Sequence, residues 1–242
     1  MRILLWDIDG TLVSTGGAGI RALGRAIHTS LPATAALGRM KLDGMTDRKI
    51  ARILCAAVRH REQPEIPVEQ HEKAVTTEEI DKVLSAYLAA LQSPPESDLA
   101  GFRVHPGVWD VLNTVGPDRA VHALGTGNLE QGARAKLEPI GLWSRFAFGG
   151  FGSDAEERVD ILRAAWRKAE LHLGRACSAA EFVVIGDTPR DVSAAHAAGL
   201  CCVAVATGRH SVHDLAESGA DLTLASLAEP DAAARVLAAV RH

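Results

Sequence analysis

The sequence predicts an α/β protein, a doubly wound parallel sheet with an inserted α-helical domain. Three observations lead to this prediction. Short apolar runs alternate with longer helical patterns over most of the chain, which is typical of a parallel sheet covered on both faces. Aspartate, glycine or threonine closes most of the apolar runs. One long stretch near the N-terminus carries helical patterns and almost no strand pattern.

The predicted strands are short and apolar. In chain order they cover residues 2–7, 120–124, 145–148, 182–185, 201–206 and 222–224. Helical patterns lie between them, for example at residues 156–173 and 191–198. Ligands of such sheets bind beyond the carboxyl ends of the strands, so we expect the functional residues to follow the strands directly.

Residues 16–99 depart from this alternation and predict an all-helical insertion after the first strand. We therefore expect a core domain of residues 1–15 and 100–242 and a helical cap domain of residues 16–99. The sheet is expected to resume near residue 105. Hinges between the two domains are expected near residues 14–17 and 97–104.

Helix-start signals divide the insertion. Thr46 is placed to cap one helix, and Thr76 and Glu79 have the spacing of a capping box at the start of another. The predicted helices cover residues 16–31, 47–60 and 77–92, and the predicted loops cover residues 63–72 and 93–97.

Composition excludes several classes of protein. The chain is 47% hydrophobic with a net charge of only −4, which argues against disorder. It has no basic run longer than two residues, so we expect no nucleic-acid partner. The charge-free stretch at residues 192–208 is rich in alanine and too short and weakly apolar to span a membrane.

The four cysteines show no C-x-x-C spacing and are predicted to be free thiols in a reducing compartment. The short apolar run at residues 3–6 meets Asp7 at once, so no signal peptide is predicted. We expect a cytoplasmic protein, either a monomer or a homodimer.

Chemistry-bearing residues follow three of the predicted strands. Asp7 ends the first strand, and Asp9 lies in the next loop, where Gly10 permits a tight turn. Asp187 and Asp191 follow the strand at residues 182–185 in the same way. The strand at residues 120–124 is followed by Gly125-Thr126-Gly127-Asn128, a hydroxyl and backbone N–H groups at a helix start, which is typical of phosphate binding.

This combination resembles the haloacid dehalogenase-like (HAD) hydrolase superfamily, most nearly its phosphoglycolate phosphatase-like branch with a helical cap of the C1 type. The resemblance covers most of the chain. Residues 7–12 match its D-x-D-G-T-L motif, and Thr126 matches its Ser/Thr motif. Gly186, Asp187 and Asp191 match its late G-D-x-x-x-D motif. The resemblance implies a Rossmann-like core and a phosphatase activity.

By resemblance, Asp7 is the nucleophile that forms an aspartyl-phosphate, and Asp9 is the general acid and base. The cofactor implied is Mg²⁺, held by the Asp7 carboxylate, the Asp9 backbone carbonyl and Asp187. Thr126 and the Gly127 N–H would bind phosphoryl oxygens. The supporting residues implied are Gly10, Thr11 and Asp191.

The third motif of the superfamily departs from its usual form. Most relatives have a lysine before the helix that leads to the fourth motif, and the best-placed cation here is Arg158. Its planar fork differs from the point charge of a lysine. Lys168 lies too far along the predicted helix. The alternative for Arg158 is an ordinary solvated helix residue, and for Thr126 and Asp191 it is helix capping.

The leading hypothesis is an Mg²⁺-dependent phosphatase acting on a small phosphorylated metabolite, with phosphoglycolate-like compounds as one candidate. A phosphomutase of the β-phosphoglucomutase type is the first alternative, and a non-catalytic binding or regulatory protein is the second. Substrate contacts are expected around residues 41–48 of the insertion, where Thr46 and Asp47 have helix capping as their alternative role.

Overall fold

The computed structural model describes residues 1–31 and 42–241. The strands are short: β1 (Arg2–Trp6), β2 (Val13–Ser14), β3 (Arg103–Val104), β4 (Ala120–Gly125), β5 (Gly149–Gly150), β6 (Phe182–Gly186), β7 (Cys201–Val205) and β8 (Leu222–Leu224). The helices are α1 (Ala18–Ser30), α2 (Asp47–Glu62), α3 (Val68–Ala74), α4 (Thr77–Gln92), α5 (Glu96–Leu99), α6 (Val108–Thr114), α7 (Glu130–Leu137), α8 (Arg158–Leu173), α9 (Pro189–Ala197), α10 (Val212–Glu217) and α11 (Ala232–Ala238).

The main sheet is parallel throughout and has the strand order β5-β4-β1-β6-β7-β8. The chain leaves the central strand β1, builds outward through β4 and β5, and then crosses to β6 on the other side. This reversal places the topological switch point at the carboxyl end of β1, where ligands of such sheets bind. The predicted doubly wound α/β fold is confirmed.

The sheet is buried on both faces. Successive β1 side chains alternate between two clusters of core residues, with Leu4 and Trp6 in one and Ile3 and Leu5 in the other. All four are fully buried. Full burial of such a side chain contributes about 1.5–3 kcal/mol, so β1 anchors the residues that follow it.

One predicted strand was misplaced. Residues 145–148 were expected to form it, but Arg145 ends a short 3₁₀ helix, and β5 is Gly149–Gly150. A Cβ on Gly149 would lie 2.9 Å from the Leu124 side chain of β4. The close approach of the two strands therefore requires glycine, and a pair of glycines carries no hydrophobic signal for a strand.

The helices of the insertion follow the predicted starts. Thr46 precedes α2 and accepts a hydrogen bond from the Lys49 N–H at 3.1 Å. The capping box at Thr76 and Glu79 is present before α4. Two clusters of buried apolar side chains lie among these helices, one joining α1, α2 and α4 and the other lying mainly between α2 and α4.

The predicted loop at residues 63–72 was partly wrong, because α3 begins at Val68 within it. Pro67 occupies the N-cap position of this helix, where its missing N–H costs no helical hydrogen bond. A proline therefore marked the beginning of a helix and not a continuing loop. Likewise, α5 lies at the end of the second predicted loop.

An antiparallel ribbon of β2 and β3 stands at the two ends of the insertion, with Val13 paired to Val104. The main sheet itself resumes at Ala120 in β4, later than the expected position near residue 105. The ribbon covers parts of both predicted hinge regions. The division into core and cap domains stays a prediction.

Candidate active site

Asp7 follows β1 and continues its pairing, since its N–H donates to the Ile185 carbonyl at 2.9 Å. Its side chain is buried, and its Oδ1 atom has no hydrogen-bond partner among the described residues. An unpaired buried carboxylate oxygen is costly unless a ligand satisfies it. The burial of Asp7 and its unpaired oxygen are therefore typical of a reactive or metal-binding carboxylate.

Asp187 and Asp191 follow β6 and join Asp7 in one buried cluster. One carboxylate oxygen from each of the three lies within 4.8 Å of the others. Asp187 accepts a hydrogen bond from the Thr11 hydroxyl at 3.0 Å. Asp191 accepts from both the N–H and the hydroxyl of Thr188, at 3.0 and 2.7 Å, and so completes the capping box of α9. Asp191 thus has the capping role as well as a place in the cluster.

Arg158, the first residue of α8, enters the same cluster. Its guanidinium pairs with Asp191, and its Nη2 lies 3.5 Å from Asp7 Oδ2. The Arg158 side chain is only 9% exposed, and its Nε has no partner among the described residues. The structure excludes the alternative of a solvated helix residue.

The carboxylates of the cluster resist ionisation. Burial raises the pKa of Asp187 to about 8, with further contributions from the charges of Asp191 and Asp7. Burial also raises the pKa of Asp7 to about 6, against the opposing effect of Arg158. Carboxylates that lie close together in a poorly solvated site repel one another when ionised, so their pKa values rise.

A divalent cation fits these residues. Three carboxylates face one guanidinium, so two negative charges are unbalanced when all three are ionised. The ligands are oxygens, as hard cations require, and the unpaired Oδ1 of Asp7 is among the available atoms. The cluster of Asp7, Asp187 and Asp191 could therefore hold a metal ion.

Asp9 lies two residues beyond Asp7 but outside this cluster. Its Oδ2 accepts hydrogen bonds from the Lys136 ammonium at 2.6 Å and from the Asn128 amide at 2.9 Å. Burial opposes its charge, but Lys136 and Asn128 outweigh that effect and hold the pKa of Asp9 below its ordinary value. The side chain of Asp9 is 45% exposed and faces a cavity.

Thr126 and Gly127 follow β4 on the other side of β1. The buried Thr126 hydroxyl accepts hydrogen bonds from the backbone N–H and the side-chain amide of Asn128. A Cβ on Gly127 would lie 2.8 Å from the Thr46 Cα. Glycine is therefore required here because the segment before α2 lies directly against this loop.

Gly10 is constrained in a similar way. It has a left-handed φ of 86°, and an added Cβ would lie 2.2 Å from Asp187 Oδ2. Its carbonyl accepts a hydrogen bond from Thr207 at 2.6 Å. Any larger residue would displace Asp187, so Gly10 helps to hold the acidic cluster together.

The start of α2 is attached to the loops around the site. Asp47 donates its N–H to the Gly127 carbonyl and accepts from the Leu129 N–H, each at 2.9 Å. Arg52 forms two hydrogen bonds with Glu156, at 2.6 and 2.8 Å. Burial raises the pKa of Asp47 to about 6. At the start of α2, Thr46 therefore caps the helix, and Asp47 attaches the helix to the loop after β4.

A cavity of about 430 Å³ connects these groups. Asp7, Asp9, Arg158 and Asp187 lie at its core end. Its other wall comes from the insertion and is largely apolar, with the side chains Ile20, Leu23, Leu42, Met45, Ile50 and Leu84. Within the predicted contact region of residues 41–48, Leu42 to Met45 and Asp47 line the cavity, and Lys41 lies outside the described residues.

The structure brings all the sequence-predicted site residues to one end of the sheet, and it adds three that the sequence did not indicate. Lys136, Asn128 and Tyr87 line the cavity beside Asp9. Asn128 could have been noticed, since it closes the Gly125-Thr126-Gly127-Asn128 run. Lys136 and Tyr87 resemble ordinary helix residues in sequence. The distant Lys168 pairs with Asp154 at 2.8 Å and is not among the cavity residues.

The comparison with protein families matches residues 159–230, which include Asp187 and Asp191, to the HAD-hydrolase-like model. This part of the chain is therefore similar to the haloacid dehalogenase-like hydrolases. The match agrees with the resemblance drawn from the motifs and with the prediction of a hydrolase. No curated protein sequence matches this chain.

Several solved structures share the fold over nearly the whole chain. A hydrolase from Pseudomonas syringae is 20% identical with a TM-score of 0.67, covering 94% of this chain and 95% of that one. A predicted phosphoglycolate phosphatase from Haemophilus somnus is 17% identical with a TM-score of 0.63, covering 94% and 95%. A Bacteroides vulgatus protein named for β-phosphoglucomutase is 20% identical with a TM-score of 0.65, covering 98% and 88%.

No helix among the described residues is long and apolar enough to cross a membrane. All four cysteines are free, as their spacing predicted.

Proposed function

We propose that this HAD-like hydrolase is an Mg²⁺-dependent phosphomonoesterase that acts on a small phosphorylated metabolite through an aspartyl-phosphate. The single observation that carries the proposal is the placement of Asp7. It is buried at the carboxyl end of the central strand, has an unpaired oxygen, and lies between an acidic cluster and a phosphate-type loop. A nucleophile for phosphorus requires this combination of charge neutralisation on one side and oxygen binding on the other.

Asp7, Asp187 and the Asp9 backbone carbonyl are the proposed ligands of Mg²⁺, with Asp191 in support. When bound, the cation supplies neutralisation of the phosphoryl charge and of the carboxylates around it. Asp191 is the least available ligand, because Thr188 and Arg158 already occupy its oxygens.

A carboxylate oxygen of Asp7 attacks phosphorus, and the bond between phosphorus and the leaving oxygen of the substrate breaks. Asp9 donates a proton to that leaving oxygen. Asp9 then takes a proton from the water that hydrolyses the aspartyl-phosphate. Lys136 and Asn128 favour ionised Asp9 in the free protein. A phosphoryl dianion beside Asp9 opposes this effect and raises its pKa, which favours the acid form when the substrate is bound.

The Thr126 hydroxyl, the Gly127 N–H and Arg158 are proposed to bind phosphoryl oxygens. Arg158 lies between Asp7 and Asp191 and has an Nε donor without a partner among the described residues. A guanidinium can hold a carboxylate on one edge and a phosphoryl oxygen on another, which a lysine ammonium cannot do with the same geometry.

The insertion of residues 16–99 is proposed to act as a cap domain that moves about hinges at the β2–β3 ribbon. In the structure α2 is attached to the core through Asp47 and Arg52. Packing of the insertion over the cavity would keep bulk water out during phosphoryl transfer. Water would reach the aspartyl-phosphate after the first product has left the cavity.

The test is a phosphate-release screen over a panel of phosphorylated metabolites, with and without Mg²⁺, using Asp7→Asn as the blank. We expect Mg²⁺-dependent release from a subset of the panel and none from the variant. Isomerised sugar phosphate without free phosphate would point to the phosphomutase alternative. Inert protein across the whole panel would point to a binding role.

A further inference from the structure

A lysine that no motif contains is buried beside the proposed acid–base residue. Lys136 lies in the last turn of α7 and is 3% exposed. A buried ammonium is costly unless all of its N–H groups find acceptors. The acceptors here identify what the lysine does.

Two acceptors bind the Lys136 ammonium. It donates to Asp9 Oδ2 at 2.6 Å and to Asn128 Oδ1. These bonds use two of the three N–H groups of the ammonium. Its direct ionic partner is Asp9.

The orientation of Asp9 depends on this arrangement. Lys136 and Asn128 both donate to the Oδ2 atom of Asp9, and the two bonds fix the plane of the carboxylate. Within the described residues, Oδ1 has no hydrogen-bond partner, and Asp9 lines the cavity. A carboxylate that must exchange a proton with a leaving oxygen needs such a fixed plane and one open oxygen.

The helices of the insertion lie close to this lysine. Tyr87 lies on α4 and is 5% exposed, and both its hydroxyl and the Lys136 ammonium lie near Gly19 of α1. Asp47 of α2 lines the same cavity as Lys136. The lysine is therefore placed where helix α7, the loop after β1 and the helices of the insertion meet.

We propose that Lys136 is a positioning residue for Asp9. The inference rests on the proposed phosphatase function for its catalytic consequence. Its structural content, that Lys136 sets the orientation of the Asp9 carboxylate, can be tested without turnover.

The experiment compares two aryl phosphates, p-nitrophenyl phosphate and phenyl phosphate. The nitrophenolate leaves without much protonation, whereas the phenolate needs the acid more. The comparison uses kcat/KM, which reports phosphoryl transfer to Asp7 and not the later hydrolysis step that both esters share. For Lys136→Met we expect kcat/KM on phenyl phosphate to fall about 100-fold, as for a misplaced catalytic group, and on p-nitrophenyl phosphate to fall less than about tenfold.

Lys82→Met, at an exposed lysine of α4, is the matched control and should leave both esters unchanged.

Equal losses of kcat/KM on the two esters, or a raised KM with an unchanged kcat, would overturn the positioning role and favour direct substrate binding. A wild-type protein inactive on both esters and on the whole metabolite panel would reject the proposed function and not this inference. The crystal structure of the Lys136→Met protein decides in either case. We expect the Asp9 carboxylate to leave its wild-type orientation, and an Asp9 unmoved in the variant would refute the proposal.

Discussion

Asp7 and Asp9 are the same residue type, two positions apart, yet the protein gives them opposite electrostatic surroundings. Asp7 lies among two further carboxylates with one shared guanidinium, and burial raises its pKa to about 6. Asp9 accepts hydrogen bonds from the Lys136 ammonium and the Asn128 amide, and its pKa is lowered. The position of Asp7 and Asp9 directly after a strand identifies both as candidate site residues. The charges around each one determine its pKa and therefore the chemical role that it can take.

The largest expected effect separates the two carboxylates by chemistry. Asp7→Asn removes the proposed nucleophile, so turnover should fall by at least about 10⁴-fold on p-nitrophenyl phosphate and phenyl phosphate alike. Phosphate release measured with both esters checks this. Asp110→Asn, an exposed aspartate of α6, is the charge-matched control and should retain wild-type rates. Retained activity in the Asp7 variant would reject the mechanism.

Asp9→Asn should instead distinguish the two esters. Loss of a general acid costs about 10²–10⁴-fold in kcat/KM, and the cost should be greatest for phenyl phosphate, whose leaving group most needs the proton. Steady-state kinetics on the two esters gives the ratio of the two kcat/KM values. A uniform loss of kcat/KM on both would mean that Asp9 does not act as the acid in phosphoryl transfer, and the contrast with Asp7 would then disappear.

Arg158 tests the Asp7 side of the comparison. Arg158→Ala should lower kcat/KM about 10²-fold or more, because phosphoryl charge loses a preorganised donor. It also leaves Asp191 without its buried partner, which we expect to cost about 3–5 kcal/mol of stability. Arg158→Lys should restore most of the stability but only part of the activity. Normal kinetics in the alanine variant would remove Arg158 from the site.

The smallest effect concerns pH and the cation. Asp187 and Asp7 have pKa values of about 8 and about 6 without metal, so a cation must displace protons from them. Mg²⁺ affinity should therefore rise with pH between about 6 and 8, by up to about tenfold per pH unit for each proton released.

Calorimetry in buffers of different ionisation enthalpy measures this proton release directly. Asp187→Asn should bind Mg²⁺ more weakly and with a flatter pH dependence. Affinity independent of pH in the wild-type protein would contradict the raised pKa of Asp187.

The raised pKa values of Asp187 and Asp7 also determine how the stability of the metal-free protein changes with pH. The folded protein holds protons on Asp187 and Asp7 that the unfolded chain has already released above an ordinary pKa of 3.8. The free energy of unfolding should therefore fall as the pH rises from about 4 to about 8. Denaturant unfolding across this range, with excess Mg²⁺ as the comparison, checks the direction.

Sequence reasoning reached most of the fold because local signals agreed with the global one. The strand at residues 222–224 and the capping box at Thr76 and Glu79 occur as predicted. The signals failed where packing overrides them. Gly149 and Gly150 form β5 because a larger residue at Gly149 would meet Leu124 of β4 and one at Gly150 would meet Ile161 of α8. Pro67 lies at the start of a helix, although the sequence predicts a loop there.

The sequence by itself determined the fold class, the helical character of the insertion, and the three strand ends at which Asp7, Thr126 and Asp187 lie. Such features depend on periodicity and on short motifs, which are local in the chain. Only the tertiary structure placed Lys136 on Asp9, 127 residues away. A lysine in a helix has no local signal for burial, because its partners come from other elements and are brought together by packing alone.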